Sequence, residues 1–139
     1  MAYLLDSGFV YAQLNRKDSW HTRVAEATLI AEREPLILPI PAVTEIAFLL
    51  NRHLGSEAAA AFTERLADTD FILELPTGQD YIRAAAILRK YNDNNIDFVD
   101  ACIVAMAERL KITKILTVDR RHFSIFKPEH CNSFEIFPE

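Results

Sequence analysis

Apolar residues along the chain fall into short dense runs separated by longer stretches with helical spacing. Ala2–Leu5 is such a run and stops at Asp6, as a short buried strand does. Ser7–Gln13 then begins a helix. Ser19–Glu34 predicts a second, with Val24, Ala27, Ile30 and Ala31 on one face. Pro35, Pro39 and Pro41 bracket a strand at Leu36–Leu38. Pro41 suits the first turn of the following helix, where a missing N–H costs nothing. That helix should run to about Leu54 and end at Gly55. Ser56 is placed to cap the next, SEAAAAFTERLA, which is rich in good helix formers.

The second half repeats the alternation. Phe71–Leu75 reads as a strand stopped by Pro76. Thr77 opens a helix through Tyr91, with Tyr81, Ala84, Ala85 and Leu88 as its apolar stripe. Tyr91–Asn95 is a polar turn. Phe98–Leu110 is a long apolar helix, with Val99, Cys102, Ile103, Met106 and Leu110 along its packed face. Lys114–Val118 is a strand ending at Asp119, and Phe134–Phe137 a last short one. Strands alternating with helices predict an α/β fold whose sheet is mainly parallel and covered on both faces. Ligands of such sheets bind beyond the carboxyl ends of the strands, where Asp6 and Asp119 fall.

Composition narrows the reading. The chain has 139 residues, is half hydrophobic and one quarter charged, and has three glycines, which suits a compact core and excludes disorder. No repeat or linker divides it, so residues 1–139 are expected to form a single domain. No apolar run reaches the roughly 18 residues of a membrane span. The N-terminus has no basic leader, and the expected location is the cytoplasm. Cys102 and Cys131 lack zinc-ligand spacing and read as one core thiol and one peripheral thiol. A net charge of −5 argues against holding nucleic acid by bulk charge. Carboxylates gathered around divalent cations would give the same sum, with the metal restoring attraction to phosphate locally.

The placement of the acids therefore decides. Glu45 is the single charge between Pro35 and Asn51, where a solvated helix face would carry several. Buried, it must be paired, protonated or bound to a cation; the ordinary alternative is an edge position beside an arginine. Asp100 precedes seven uncharged residues and lies in a first helical turn, where the helix dipole alone favours an acid. In D-F-V-D, Asp97 is the natural N-cap, with outer-shell help to a metal as its lesser role. Asp6 and Asp119 each follow a strand and, taken singly, also read as caps. Together these four acids in one small α/β domain suggest a pocket of hard oxygen ligands, which selects Mg²⁺ or Mn²⁺.

Other chemistries fit less well. His21, His53, His122 and His130 are scattered without metal-ligand spacing. Ser7 has no G-x-S-x-G setting, and nucleotide-cradling glycine motifs are absent. A phosphatase of similar topology usually wants a second Asp two residues after the first, where this chain has Gly8.

The segments LLDSGFVYA, PAVTEIAFLL, DFVDACIVAMAERL and KILTVDRRHF, in that order, resemble the PIN domain, and within it the VapC-type toxins of toxin–antitoxin pairs. The resemblance spans almost the whole chain and implies a PIN-like three-layer α/β/α sandwich. It implies that Asp6, Glu45, Asp100 and Asp119 are catalytic acids and metal ligands, with Asp119 often outer-shell or at a second metal. Ser7 and Thr117 match positions of small hydroxyl residues that orient carboxylates or water. It further implies a homodimer, an RNA substrate hydrolysed by metal-activated water using Mg²⁺ or Mn²⁺, and a VapB-like antitoxin that commonly sends an arginine toward the acids. Arg120, Arg121 and Lys127 follow the fourth acid and are candidates for gripping RNA phosphate, or else form a solvated basic turn. Phe123 and Phe126 beside them read as core. The rival expectation is a catalytically inactive PIN-like module used for dimerisation or binding.

Overall fold

A computed structural model describes residues 1–139. Its strands are β1 (Tyr3–Leu5), β2 (Leu36–Pro39), β3 (Ile72–Glu74), β4 (Lys114–Leu116) and β5 (Glu135–Phe137). All pair in parallel, in the order β3-β2-β1-β4-β5. The register sets Tyr3 opposite both Leu36 and Lys114, so β1 is the central strand. Between the strands run α1 (Ser7–Leu14), α2 (His21–Ala31), α3 (Ile40–Leu54), α4 (Ser56–Arg65), a 3-10 turn at Leu66–Asp68, α5 (Gly78–Lys90), α6 (Phe98–Leu110) and α7 (Arg120–Ser124).

The period-2 alternation of strand side chains divides the core into two layers. Leu4, Ile37, Ile115 and Ile136 point to one face and pack with Ala84, Ile87 and the apolar side of α6. Tyr3, Leu5, Leu36, Leu38 and Leu116 point to the other and pack with α1 to α4 through Phe9, Val24, Ile46 and Phe62. The result is the expected three-layer sandwich, with a sheet that is parallel throughout. The chain steps outward from β1 to β2 to β3, then returns to place β4 on the other side of β1. That reversal opens a crevice at the carboxyl ends of β1 and β4.

Several local expectations change. Ile30 is 71% exposed, and the buried face of α2 consists of Val24 and Ala31. Tyr81 also faces outward; Asp80, Ala84 and Ile87 form the buried stripe of α5. Ser56 is the first residue of α4 rather than its cap and makes no capping bond. Gly55 takes that position with φ 97°, which disfavours any side chain. Helix α6 runs over the predicted Phe98–Leu110 and ends at Lys111 in the left-handed conformation.

Candidate functional site

Asp6 leaves the end of β1 and caps α1. Its Oδ1 accepts from the Ser7 N–H at 2.8 Å, and its Oδ2 from the Thr117 hydroxyl at 2.9 Å. Thr117 is fully buried just beyond β4, and its Oγ1 also accepts from the Asp119 N–H at 2.9 Å. One hydroxyl thus ties the first acid to the loop carrying the fourth. Ser7 has the matching place on the other side, its hydroxyl within 3.4 Å of Asp6 Oδ1 and hydrogen-bonded to Glu45 Oε1 on α3. A Cβ at Gly8 would stand 3.0 Å from Val118 Cγ2, so glycine lets α1 start this close to the β4 loop.

Asp100 arrives from the opposite layer, at the start of α6. Asp97 caps that helix through the Asp100 N–H at 3.0 Å, and Asp100 Oδ2 accepts back from the Asp97 N–H at 3.2 Å. Asp97 therefore fills the capping role expected of it. Asp119 caps the single turn of α7 through the His122 N–H at 3.4 Å. Asp6, Glu45, Asp97, Asp100, Asp119 and His122 all line one cleft of about 200 Å³ at the crevice between β1 and β4.

The cleft is electrostatically uncomfortable. Burial raises the Asp6 carboxyl to about 6, against the Thr117 and Ser7 hydrogen bonds and with help from the charges of Glu45 and Asp119. Burial likewise lifts Asp100 far above the ordinary carboxylate range, reinforced by Asp97, Asp6 and Asp119. No arginine or lysine lines the cleft. Its basic side chain is His122, whose Nδ1 lies 3.1 Å from Asp100 Oδ2 and 2.8 Å from Asp119 Oδ2. The angles satisfy no hydrogen bond, so this buried nitrogen has ion-pair distances without a directed partner. Sequence reading missed His122. Its signal was the i,i+3 spacing from Asp119, which sets both side chains on one face of a short turn.

As the side chains stand, no three of His, Cys, Asp or Glu form a ready metal cage. Each acid is turned toward a protein donor: Asp6 to Thr117, Glu45 to Ser7, Asp100 to the Asp97 N–H, Asp119 to the His122 N–H. The donor set nevertheless fits a hard divalent cation, because buried, mutually repelling carboxylate oxygens with raised proton affinity are relieved by a positive charge.

Of the basic candidates, Arg121 lines a neighbouring cleft and Lys127 is exposed. Arg120 Nη1 donates to the Ile136 and Pro138 carbonyls at 3.1 and 2.7 Å, tying the C-terminal strand rather than reaching out. Phe123 and Phe126 are core, as expected, and so is Cys102, while Cys131 is half-buried. No helix is long and apolar enough to cross a membrane.

The PIN domain profile matches residues 3–127. The chain is 29% identical over 135 residues to ribonuclease VapC26 of Mycobacterium tuberculosis, covering 97% of this chain and 99% of that protein. Among solved structures it is similar to M. tuberculosis VapC20, a toxin that cleaves the sarcin–ricin loop. That match has a TM-score of 0.75 and 23% identity over 81% of this chain and 86% of that one. It is also similar to VapBC2 of Rickettsia felis, solved bound to a promoter DNA fragment, with a TM-score of 0.71 and 11% identity over 99% and 100% of the two chains.

Proposed function

The chain belongs to the PIN domain family, and from that premise we propose that residues 1–139 form one nuclease domain that hydrolyses RNA with Mg²⁺ or Mn²⁺, as the toxin of a type II toxin–antitoxin pair. The observation that carries the reading is the convergence of Asp6, Glu45, Asp100 and Asp119 on one cleft lined by no arginine or lysine. Acids kept only for stability are normally neutralised by a neighbour. The 29% identity to a ribonuclease over nearly the full length supports RNA as the substrate.

Asp6 and Asp100, from opposite layers of the fold, are the principal holders of the cation, with Glu45 and Asp119 completing its surroundings. When bound, a divalent cation supplies Lewis acidity to water and neutralises charge on the phosphate. Thr117 and Ser7 fix the two oxygens of Asp6 in one orientation. Glu45, half-buried, is the acid placed to take a proton from attacking water while its hydroxyl partner Ser7 steadies it. Water adds to phosphorus as its proton passes to Glu45. The bond to the 3′ oxygen breaks and that oxygen takes a proton from solvent, so the products would carry 5′-phosphate and 3′-hydroxyl ends.

Phe48, Leu75, Ile82 and Phe98 are each more than half exposed, which supports assembly as a homodimer; the cytoplasm is its proposed location. A VapB-like antitoxin is the expected inhibitor, since an inserted guanidinium would give the acids the bidentate partner they lack. The test is purified protein on RNA, DNA and a phosphomonoester, with and without Mn²⁺, beside Asp6→Asn and Asp100→Asn. RNA cleavage requiring Mn²⁺ and both acids is expected. Folded protein that cleaves nothing, with variants indistinguishable from wild type, establishes the inactive binding module instead.

A further inference from the structure

A second cleft, of about 450 Å³, lies on the other side of His122. It shares Asp119 and His122 with the acid cleft, so those two side chains form the wall between them. Its remaining walls are the turn at Asp93–Asn95 and the segment carrying Arg121 and Ile125.

Both walls hang on one anchor. The Asn94 N–H donates to the Tyr91 carbonyl at 3.0 Å. The Tyr91 hydroxyl accepts from the Lys127 N–H at 3.0 Å, which ties the turn before α6 to the segment after α7. The Tyr91 ring stands edge-on to Phe126 at 5.0 Å, and Phe126 is 2% exposed. The turn closes through Asn95 at φ 55°, a conformation asparagine tolerates. The cleft is therefore shaped in the absence of any ligand, and its size falls within the range of small-molecule sites.

Its chemistry selects what it takes. Ile125 supplies one apolar surface, and Asn94 and Asn95 each offer an amide with both donors and an acceptor. The cations of the lining are Arg121 and, when protonated, His122, while Asp93 and Asp119 oppose any anion placed centrally. A neutral planar group with donors and acceptors on its edge fits these walls, and a phosphate does not. Unpaired bases of single-stranded RNA are recognised by such edge contacts and by a flat apolar or guanidinium surface.

We propose that this second cleft receives the nucleobase adjoining the bond to be cut, with Asn94 and Asn95 reading its edge, Ile125 against its face and Arg121 on the neighbouring phosphate. The proposal rests on the ribonuclease reading for the position of the cut. The test is a randomised single-stranded RNA containing 4-thiouridine, irradiated with wild-type protein in Mn²⁺, with crosslinks and cleavage scored separately. Crosslinks are expected on the peptides spanning residues 93–95 and 121–125. Asn94→Ala should lower them at least fivefold and flatten the base preference at one position beside the cut. Crosslinks confined to other peptides, or unchanged by Asn94→Ala, overturn the proposal even if RNA is cleaved. Crosslinks at these peptides without cleavage uphold the base site and remove the ribonuclease reading.

Discussion

Helices α5 and α6 begin with the same local device and put it to opposite uses. In each, the third helical residue is an aspartate that bonds back to the N-cap N–H: Asp80 to Thr77 at 2.8 Å, Asp100 to Asp97 at 3.2 Å. Both side chains are buried. Asp80 also meets a guanidinium, Arg109 Nε, at 2.9 Å. One residue before Arg109 on α6, Glu108 takes Arg83 in a two-pronged pair at 2.7 and 3.0 Å. Burial would raise Glu108, yet Arg83 and the Glu129 N–H outweigh it and hold the carboxyl below its ordinary value. Asp100 meets no guanidinium: burial drives it upward, Asp97, Asp6 and Asp119 reinforce the rise, and the nearby His122 Nδ1, 3.1 Å away, makes no directed hydrogen bond to it. A capping aspartate thus says little about function. Whether its second oxygen faces a guanidinium or another acid says a great deal, because an unmatched buried charge is retained only where something else is meant to neutralise it.

Substituting the unmatched acids gives the largest effect. Asp100→Asn and Asp6→Asn should each lower Mn²⁺-dependent RNA cleavage by at least about 100-fold, comparable with disrupting a metal's surroundings. Neither should destabilise metal-free protein at pH 7.5, and a raised melting temperature is expected for Asp6→Asn because the amide removes a repelling charge. Replacing a partner on the matched side should do the reverse. Arg109→Met leaves Asp80 buried without its cation and should cost about 2–3 kcal/mol in denaturant unfolding, with Mn²⁺ binding unchanged.

The two regions should also answer pH with opposite signs. The folded chain keeps a proton on Asp6 up to about pH 6, while the unfolded chain loses it near the ordinary value of 3.8. Metal-free stability therefore falls as pH rises through that window, by roughly 1.4 kcal/mol for each unit between the two values. Glu108 is depressed, so its contribution is fully present above 4.5 and is lost as pH falls through its lowered value. Melting temperatures across pH 3–8 in chelator check both slopes; Asp6→Asn should make the upper one shallower, the remainder belonging to Asp100, and Glu108→Gln should flatten the lower. The smallest effect belongs to the hydroxyl that orients. Thr117→Val removes the donor to Asp6 Oδ2 and the acceptor of the Asp119 N–H, and should cost about 1 kcal/mol of stability and about tenfold in cleavage.

The inner strands β1, β2 and β4 were legible because they are short, apolar and largely buried, and α6 because Asp97 and Asp100 mark its start before an apolar run. The meeting of Asp6 and Asp119 followed from their placement after parallel strands, whereas the addition of Glu45 and Asp100, both on helices, leaned on the family resemblance. Faces of the partly exposed helices were less legible. Ile30 and Tyr81 have helical spacing from true core residues, yet the sheet covers only a narrow stripe of α2 and α5, and Asp80 takes a buried place that hydropathy assigns to an apolar side chain. Its partner Arg109 lies 29 residues away on another helix, a pairing that periodicity along one segment cannot reveal. His122 was hidden for a related reason: histidine ligand motifs are sought as pairs of histidines, and here the imidazole is matched with acids.

The central claim is that the unmatched acids share a cation, and calorimetric titration of Mn²⁺ into wild-type, Asp6→Asn, Asp100→Asn and Arg109→Met proteins tests it most directly. Saturable binding in wild type and Arg109→Met, accompanied by a rise in melting temperature and lost in both aspartate variants, is the predicted result. Equal binding in all four proteins, or none in any of them, would contradict it.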